Sequence, residues 1–137
     1  MSAGSSGRPA SSDFKTIMNS YRELDFNLTP YQKALKEGAR QFAKSVLRPA
    51  AAVLDRMSDP QEVIASGSPL WSALKTAYSQ KFHTALIPAE VGGLGFQGLS
   101  LHIVLEELGW GSADFAASLG VTGFPFASVA ATGKASG

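Results

Sequence analysis

Apolar residues recur along this chain at helical spacing, and the gaps between the apolar stripes carry helix punctuation. Tyr31, Leu35, Ala39, Phe42 and Val46 form the first strong stripe. It predicts a helix with Thr29 as N-cap, Pro30 at the first helical position and Gln32 completing a Thr-x-x-Gln capping box. Pro49 is expected to break it, with "AAAVLDRM" adding a turn or two beyond the kink. "MSDPQEVIASGS" reads as a connection, with Pro60 and Gly67 as breakers. A second helix opens in "SPLWSALKTAYSQ", capped by Ser68, with Trp71, Leu74, Ala77 or Tyr78, and Lys81 marking its faces. A third is capped by Ser100, lines up Leu101, Val104, Leu105 and Leu108, and stops at Gly109. Ser112 caps a short fourth helix, "ADFAASLG", and a fifth runs from Pro125 to Thr132. Ahead of all these, Phe14, Ile17, Tyr21 and Leu24 predict a weak helix behind a disordered start. No stretch alternates strictly over more than four residues. The expected fold is all-α, a small orthogonal bundle of about five to six helices, with residues 1–25 a flexible extension and 26–137 the folded domain.

Composition narrows the function classes. A chain of 137 residues fits one domain and can bury roughly two-thirds of its unfolded surface. A net charge of +1 provides no global field for nucleic acid or an anionic membrane, and neither is an expected partner. The absence of cysteine excludes disulfides, thiolate chemistry and cysteine metal sites, and it permits a reducing compartment. The uninterrupted apolar runs fall short of the ~20 residues of a membrane span, so none is expected. "MSAGSSGRPASS" lacks the apolar region of a secretory signal; it is faintly like an organelle transit peptide and reads more simply as a tail.

Charge is thin and unevenly placed. Charged residues make up 17% of the chain, against about 25% in an average soluble protein. From Leu94 to Thr132 the charges are Glu106, Glu107 and Asp114 alone. Part of that stretch is therefore expected to face a partner domain, a subunit or an apolar ligand.

One motif suggests nucleotide chemistry. "GLGFQG", Gly93 to Gly98, matches the G-x-G-x-x-G spacing of a dinucleotide-binding turn. That turn needs a strand before it, a helix after it and an acidic residue on a second strand about 20 positions later. Only the following helix is in place, so the reading is set aside. His83 and His102 stand alone, without the neighbours a metal site requires. Lys33, Lys36, Arg40 and Lys44 form a cationic stripe that reads as a solvated helix face. Trp71 and Tyr78 read as core residues.

The run "ALIPAEVGGLGFQGLSLHIVLEELGWGSADFAASLG" resembles the amino-terminal domain of acyl-CoA dehydrogenases, through Pro88, Glu90, Gly92–Gly93, Gly95 and "EEL" at Glu106 to Leu108. "LTPYQKALKEGARQFAKSVLRPAA" is similar to that family's first helix, and the resemblance spans about Phe26 to Gly133. It implies that the glycine loop is a connection into a core helix. It also implies that a complete enzyme would have a β domain and a carboxy-terminal helical domain, which hold most of the FAD and the catalytic glutamate. Such an enzyme desaturates an acyl-CoA thioester between its α and β carbons.

No position here matches that glutamate or the main flavin contacts. The chain alone is therefore expected to carry no FAD and no activity, as a domain that stops before the β domain. Glu106 and Glu107 are expected to support the helix and its neighbours. By the resemblance, Ala116, Ala117 and Gly120 line the far end of the acyl pocket, or else allow close helix packing. The expected partners are acyl-CoA, the remaining domains, and a second copy or another subunit. The expected location is the cytoplasm, with the mitochondrial matrix as the alternative. A free-standing helical interaction module derived from the same fold is the competing reading.

Overall fold

The computed structural model describes residues 27–133; the Ser-rich start, the weak helix expected over 13–24 and the last four residues lie outside them. Among the described residues there are six α-helical segments and no strand. They are α1 (Pro30–Phe42), α2 (Arg48–Leu54), α3 (Pro60–Ile64), α4 (Pro69–Ser79), α5 (Gly98–Gly111) and α6 (Ala113–Gly133). Single 3-10 turns at Phe82–Thr84 and Ala89–Val91 carry the chain from α4 to α5.

The first helix starts where its capping box places it. Thr29 Oγ1 accepts from Gln32 N, and Gln32 Oε1 accepts from Thr29 N in return. It does not break at Pro49. A π turn over Ala43–Leu47 joins α1 to α2, with Arg48 N–H donating to Ala43 O. Widening the helix by one residue relieves the crowding that a proline ring would otherwise cause against the preceding turn. The helical path then continues to Leu54. Ala39, Phe42, Ala43, Leu47 and Ala50 form its buried line, whereas Tyr31, placed in the stripe by spacing, is exposed.

The stretch expected to be a plain connection contains α3. Pro60 opens this helix rather than breaking the chain, because Asp59 accepts from Gln61 N as its cap. Ser68 caps α4 as the spacing predicts. The buried face of α4 is Ala73 and Ala77, and both aromatic residues lie outside it. Trp71 is 47% and Tyr78 46% exposed, which corrects their reading as core. Trp71 instead donates its indole N–H to Ile64 O and Ala65 O, tying α3 to α4. A small helix leaves its longest side chains at the rim when alanines make the close contact.

Helix α5 is the central element. It packs on α1 and the π turn on one side and on α6 on the other. Ile103, Val104, Glu107 and Leu108 are buried, so the buried surface is wider than one stripe. It begins at Gly98, not Ser100, with extended Gln97 ahead of it and no side-chain cap. It also passes Gly109 and ends at Gly111, where the two helices come together. A Cβ at Gly111 would lie 2.7 Å from Ala43 Cβ, so this crossing requires a glycine.

Ser112 alone separates α5 from α6, in an extended conformation, and its Oγ accepts from Phe115 N. The two helices expected next are one: α6 runs 21 residues through Gly120, Gly123 and Pro125. Its first half is held in the core by Phe115 and Leu119. Packing of this kind overrides the low helix propensity of glycine. The continuity also corrects the apolar run length. Ala113–Thr132 is, by length and composition alone, long and apolar enough to cross a membrane, a test that core helices also pass.

Candidate functional site

The loop between α4 and α5 turns its backbone inward. Leu94 N donates to Thr84 O, Gly95 N to Ile87 O and Phe96 N to Ala85 O, at 3.0, 2.8 and 2.9 Å. Gly93 N donates to Pro88 O at 3.1 Å. These N–H groups would have to be free to cradle a pyrophosphate. They are already paired, and the spacing Gly93–Gly98 has a conformational cause instead. Gly95 and Gly98 have φ of +63° and +52°, and Gly92 has +91°. Gly93 has no room for a side chain, because an added Cβ would fall on the Ile87 carbonyl. Gly95→Ala is expected to cost about 1 kcal/mol or more, read as a shift in urea midpoint, since its φ is left-handed.

That loop sets the Phe82–Thr84 turn against α6. Phe42 and Phe82 stack with ring centroids 4.8 Å apart, anchoring the turn to α1. A Cβ at Gly123 would stand 3.3 Å from Leu86 Cβ and 3.6 Å from His83 O, so α6 rests directly on this turn. A narrow cavity of about 10 Å³ remains between the turn, α5 and α6. Leu101, Leu105, Leu119, Gly120, Gly123 and His83 are among the residues that line it.

The three residues singled out from the resemblance do not act alike. Gly120 lines the cavity, and a Cβ there would meet only Leu105 Cδ2, at an ordinary 3.6 Å. Close helix packing therefore does not require this glycine. Ala116 is half-buried against the core, and Ala117 is exposed on the other side of the helix. Sequence reasoning missed His83 and Gly123 as cavity walls. Gly123 carried a signal, being one turn beyond Gly120; His83 carried none, because only the fold brings its turn to α6.

A second, wider cleft of about 250 Å³ lies at the start of α6. Leu54, Val63, Leu70 and Phe115 form its apolar part, with Asp55 and Asp114 at its edge. Both carboxylates are exposed.

The charges of α5 divide sharply. Glu106 faces solvent, whereas Glu107 is buried and ion-paired through Oε2 with Arg40 Nε. Glu107 Oε1 has no hydrogen-bond partner among the described residues. The Arg40 guanidinium also lies 4.0 Å from the Trp110 ring centroid, and that of Arg48 lies 4.4 Å from it. Arg40 thus leaves the solvated stripe expected of it, while Lys33 and Lys44 remain exposed. Among the described residues, no group of three His, Asp or Glu could hold a metal ion. His102 is exposed on α5.

The family model of the acyl-CoA dehydrogenase N-terminal domain matches residues 29–135. The chain belongs to the acyl-CoA dehydrogenase family. No solved structure matches it. The match covers every described helix, so the helical bundle, the inward-turned glycine loop and the α5–α6 pair are the N-terminal domain of that family.

Proposed function

We propose that this chain is the amino-terminal helical part of an FAD-dependent acyl-CoA dehydrogenase, contributing one wall of the acyl pocket and a docking surface for the remaining domains. The observation that carries the reading is the two-sided character of α6. Its first half meets the cavity through Gly120, while its second half leaves Val121, Phe124, Phe126 and Val129 exposed, each by more than half. Apolar patches of this kind on a small domain usually mark an interaction site.

The described residues do not fit a flavin by themselves. The glycine-loop N–H groups are paired inward, and the wider cleft of about 250 Å³ is smaller than the roughly 300–1,000 Å³ of ordinary cofactor pockets. No step is therefore assigned to residues of this chain; its part is to shape and bind. The purified chain is expected to retain no FAD through gel filtration and to oxidise no acyl-CoA with an artificial acceptor. Stoichiometric FAD together with turnover would overturn this division of labour.

The exposed half of α6 also favours a second reading, a free-standing interaction module that associates through that helix. At micromolar concentration the chain is expected to self-associate or to bind a hydrophobic dye. Replacing both Phe124 and Phe126 with Ser is expected to reduce this while the helical circular-dichroism signal persists. A monodisperse wild-type monomer without dye binding would rule out both docking roles for α6.

A further inference from the structure

We propose that the cleft at the start of α6 is a binding site for a small organic cation, a protonated primary amine on an apolar body about the size of one aromatic ring. The site shares no residue with the small cavity lined by Gly120 and does not rest on any reading of it. Four helices build it: Leu54 comes from α2, Val63 from α3, Leu70 from α4 and Phe115 from α6. Phe115 is 3% exposed and belongs to the core, whereas the three aliphatic side chains are only half-buried. Apolar surface left open in a concave place is surface that a ligand can remove from water.

The rim fixes the sign of the charge. Asp55 and Asp114 both line the cleft, and no lysine, arginine or histidine does. Neither carboxylate has an ion-pair or hydrogen-bond partner among the described residues. Asp59 nearby differs, because its carboxylate is committed to capping α3. The two serines of the cleft are also engaged locally: Ser112 Oγ accepts from Phe115 N, and Ser118 Oγ donates to Asp114 O. Asp114 lies in the first turn of α6 and already complements that helix's positive end, so an entering anion would meet two like charges. The chain as a whole carries +1, so a preference for cations here is set by this rim and not by the global charge.

Size then limits the ligand. A cleft of about 250 Å³ corresponds to roughly eight waters at about 30 Å³ each. A phenyl ring on a two-carbon arm is of that order. Its apolar part can cover the aliphatic walls while the ammonium stays at the wet rim with the carboxylates, which avoids the cost of burying a charge.

The test is a nuclear magnetic resonance titration of the isotopically labelled chain with 2-phenylethylammonium, 2-phenylethanol and phenylacetate, which share a shape and differ in charge. The ammonium is expected to shift the amides of Val63 and Phe115 but not that of Gly120. It is expected to bind about five- to ten-fold more tightly than the alcohol, the worth of pairing with two partly hydrated carboxylates. That margin is expected to shrink as salt is raised, and phenylacetate is expected not to bind. n-Butylammonium, the head of a lysine side chain, lacks the ring and is expected to bind more weakly than 2-phenylethylammonium. Asp55→Asn combined with Asp114→Asn is expected to remove the margin and keep binding of the alcohol. Both positions are exposed, so the helical circular-dichroism signal is expected to persist. Ser118→Phe, which places a bulky side chain in the cleft, is expected to weaken every ligand. Equal affinities for ammonium and alcohol, or a margin unchanged in the double variant, would overturn the proposal. So would n-butylammonium binding as tightly as 2-phenylethylammonium, shifts confined to the exposed second half of α6, or no binding by the folded chain.

Discussion

Arg40→Ala is expected to destabilise the domain by about 3–5 kcal/mol, because it strands the buried carboxylate of Glu107 without a counter-charge. Glu107 is 1% exposed, whereas the Arg40 side chain is 37% exposed, so the two ends of the pair are not equivalent. Removing the arginine leaves a charge inside. Removing the carboxylate leaves an arginine that can turn toward water and keep its stack on Trp110. Glu107→Leu is therefore expected to cost much less, and Arg40→Ala combined with Glu107→Leu is expected to recover most of the loss. Urea unfolding of the four proteins measures this cycle. A loss below about 1 kcal/mol for Arg40→Ala would show that the carboxylate is not held as a buried charge.

Gly93→Ala is expected to be the most damaging of the loop substitutions, at about 3 kcal/mol or more. The new Cβ would overlap the Ile87 carbonyl, a backbone atom that cannot rotate away. Relief requires moving the segment that accepts from Gly95 N, and with it the hydrogen bonds that seat Phe96 in the core. Gly92→Ala has open space and pays only for its left-handed φ of +91°, about 1 kcal/mol. Gly38→Ala, in the interior of α1 with nothing within 4 Å, is expected to stabilise by about 0.5–1 kcal/mol. Thermal melts of the three variants should follow that order. A Gly93→Ala protein as stable as Gly92→Ala would mean that the loop is not closed on Ile87.

Much of the helical layout was legible because its signals are local. Thr29 with Gln32, Ser68 with Pro69, and Ser112 act within one turn of chain, so their residue types alone announce a helix start. The stops were less legible. Pro49, Gly109 and Gly120 read as breakers, yet the helices pass each of them, and Pro125, read as the start of a fifth helix, lies inside α6. A propensity deficit of about 1 kcal/mol for glycine, or about 3 for proline, is a local quantity. Burial of Leu47 beside Pro49, of Leu108 beside Gly109, and of Phe115 and Leu119 beside Gly120 offsets it there, and that burial exists only once the helices are together.

The candidate site divides in the same way. Gly120 was singled out through the resemblance, and the structure places it on the wall of the small cavity. His83 could not be found, because 37 residues separate it from Gly120 and no period connects them. The Arg40–Glu107 pair was equally hidden. Arg40 sat in a stripe of lysines that reads as solvated, and Glu107 sat beside Glu106 with nothing to distinguish the two.

By itself, then, the sequence determined the all-α class, the helix starts at Thr29, Ser68 and Ser112, the family and the shortage of charge after Leu94, all of which follow from residue types over short spans. The tertiary structure alone decided which breakers would yield, which of two adjacent glutamates would be buried, and which side chains would share a cavity. Each of those outcomes depends on surfaces from distant parts of the chain meeting. The free energy of that meeting is larger than the local preferences it overrides.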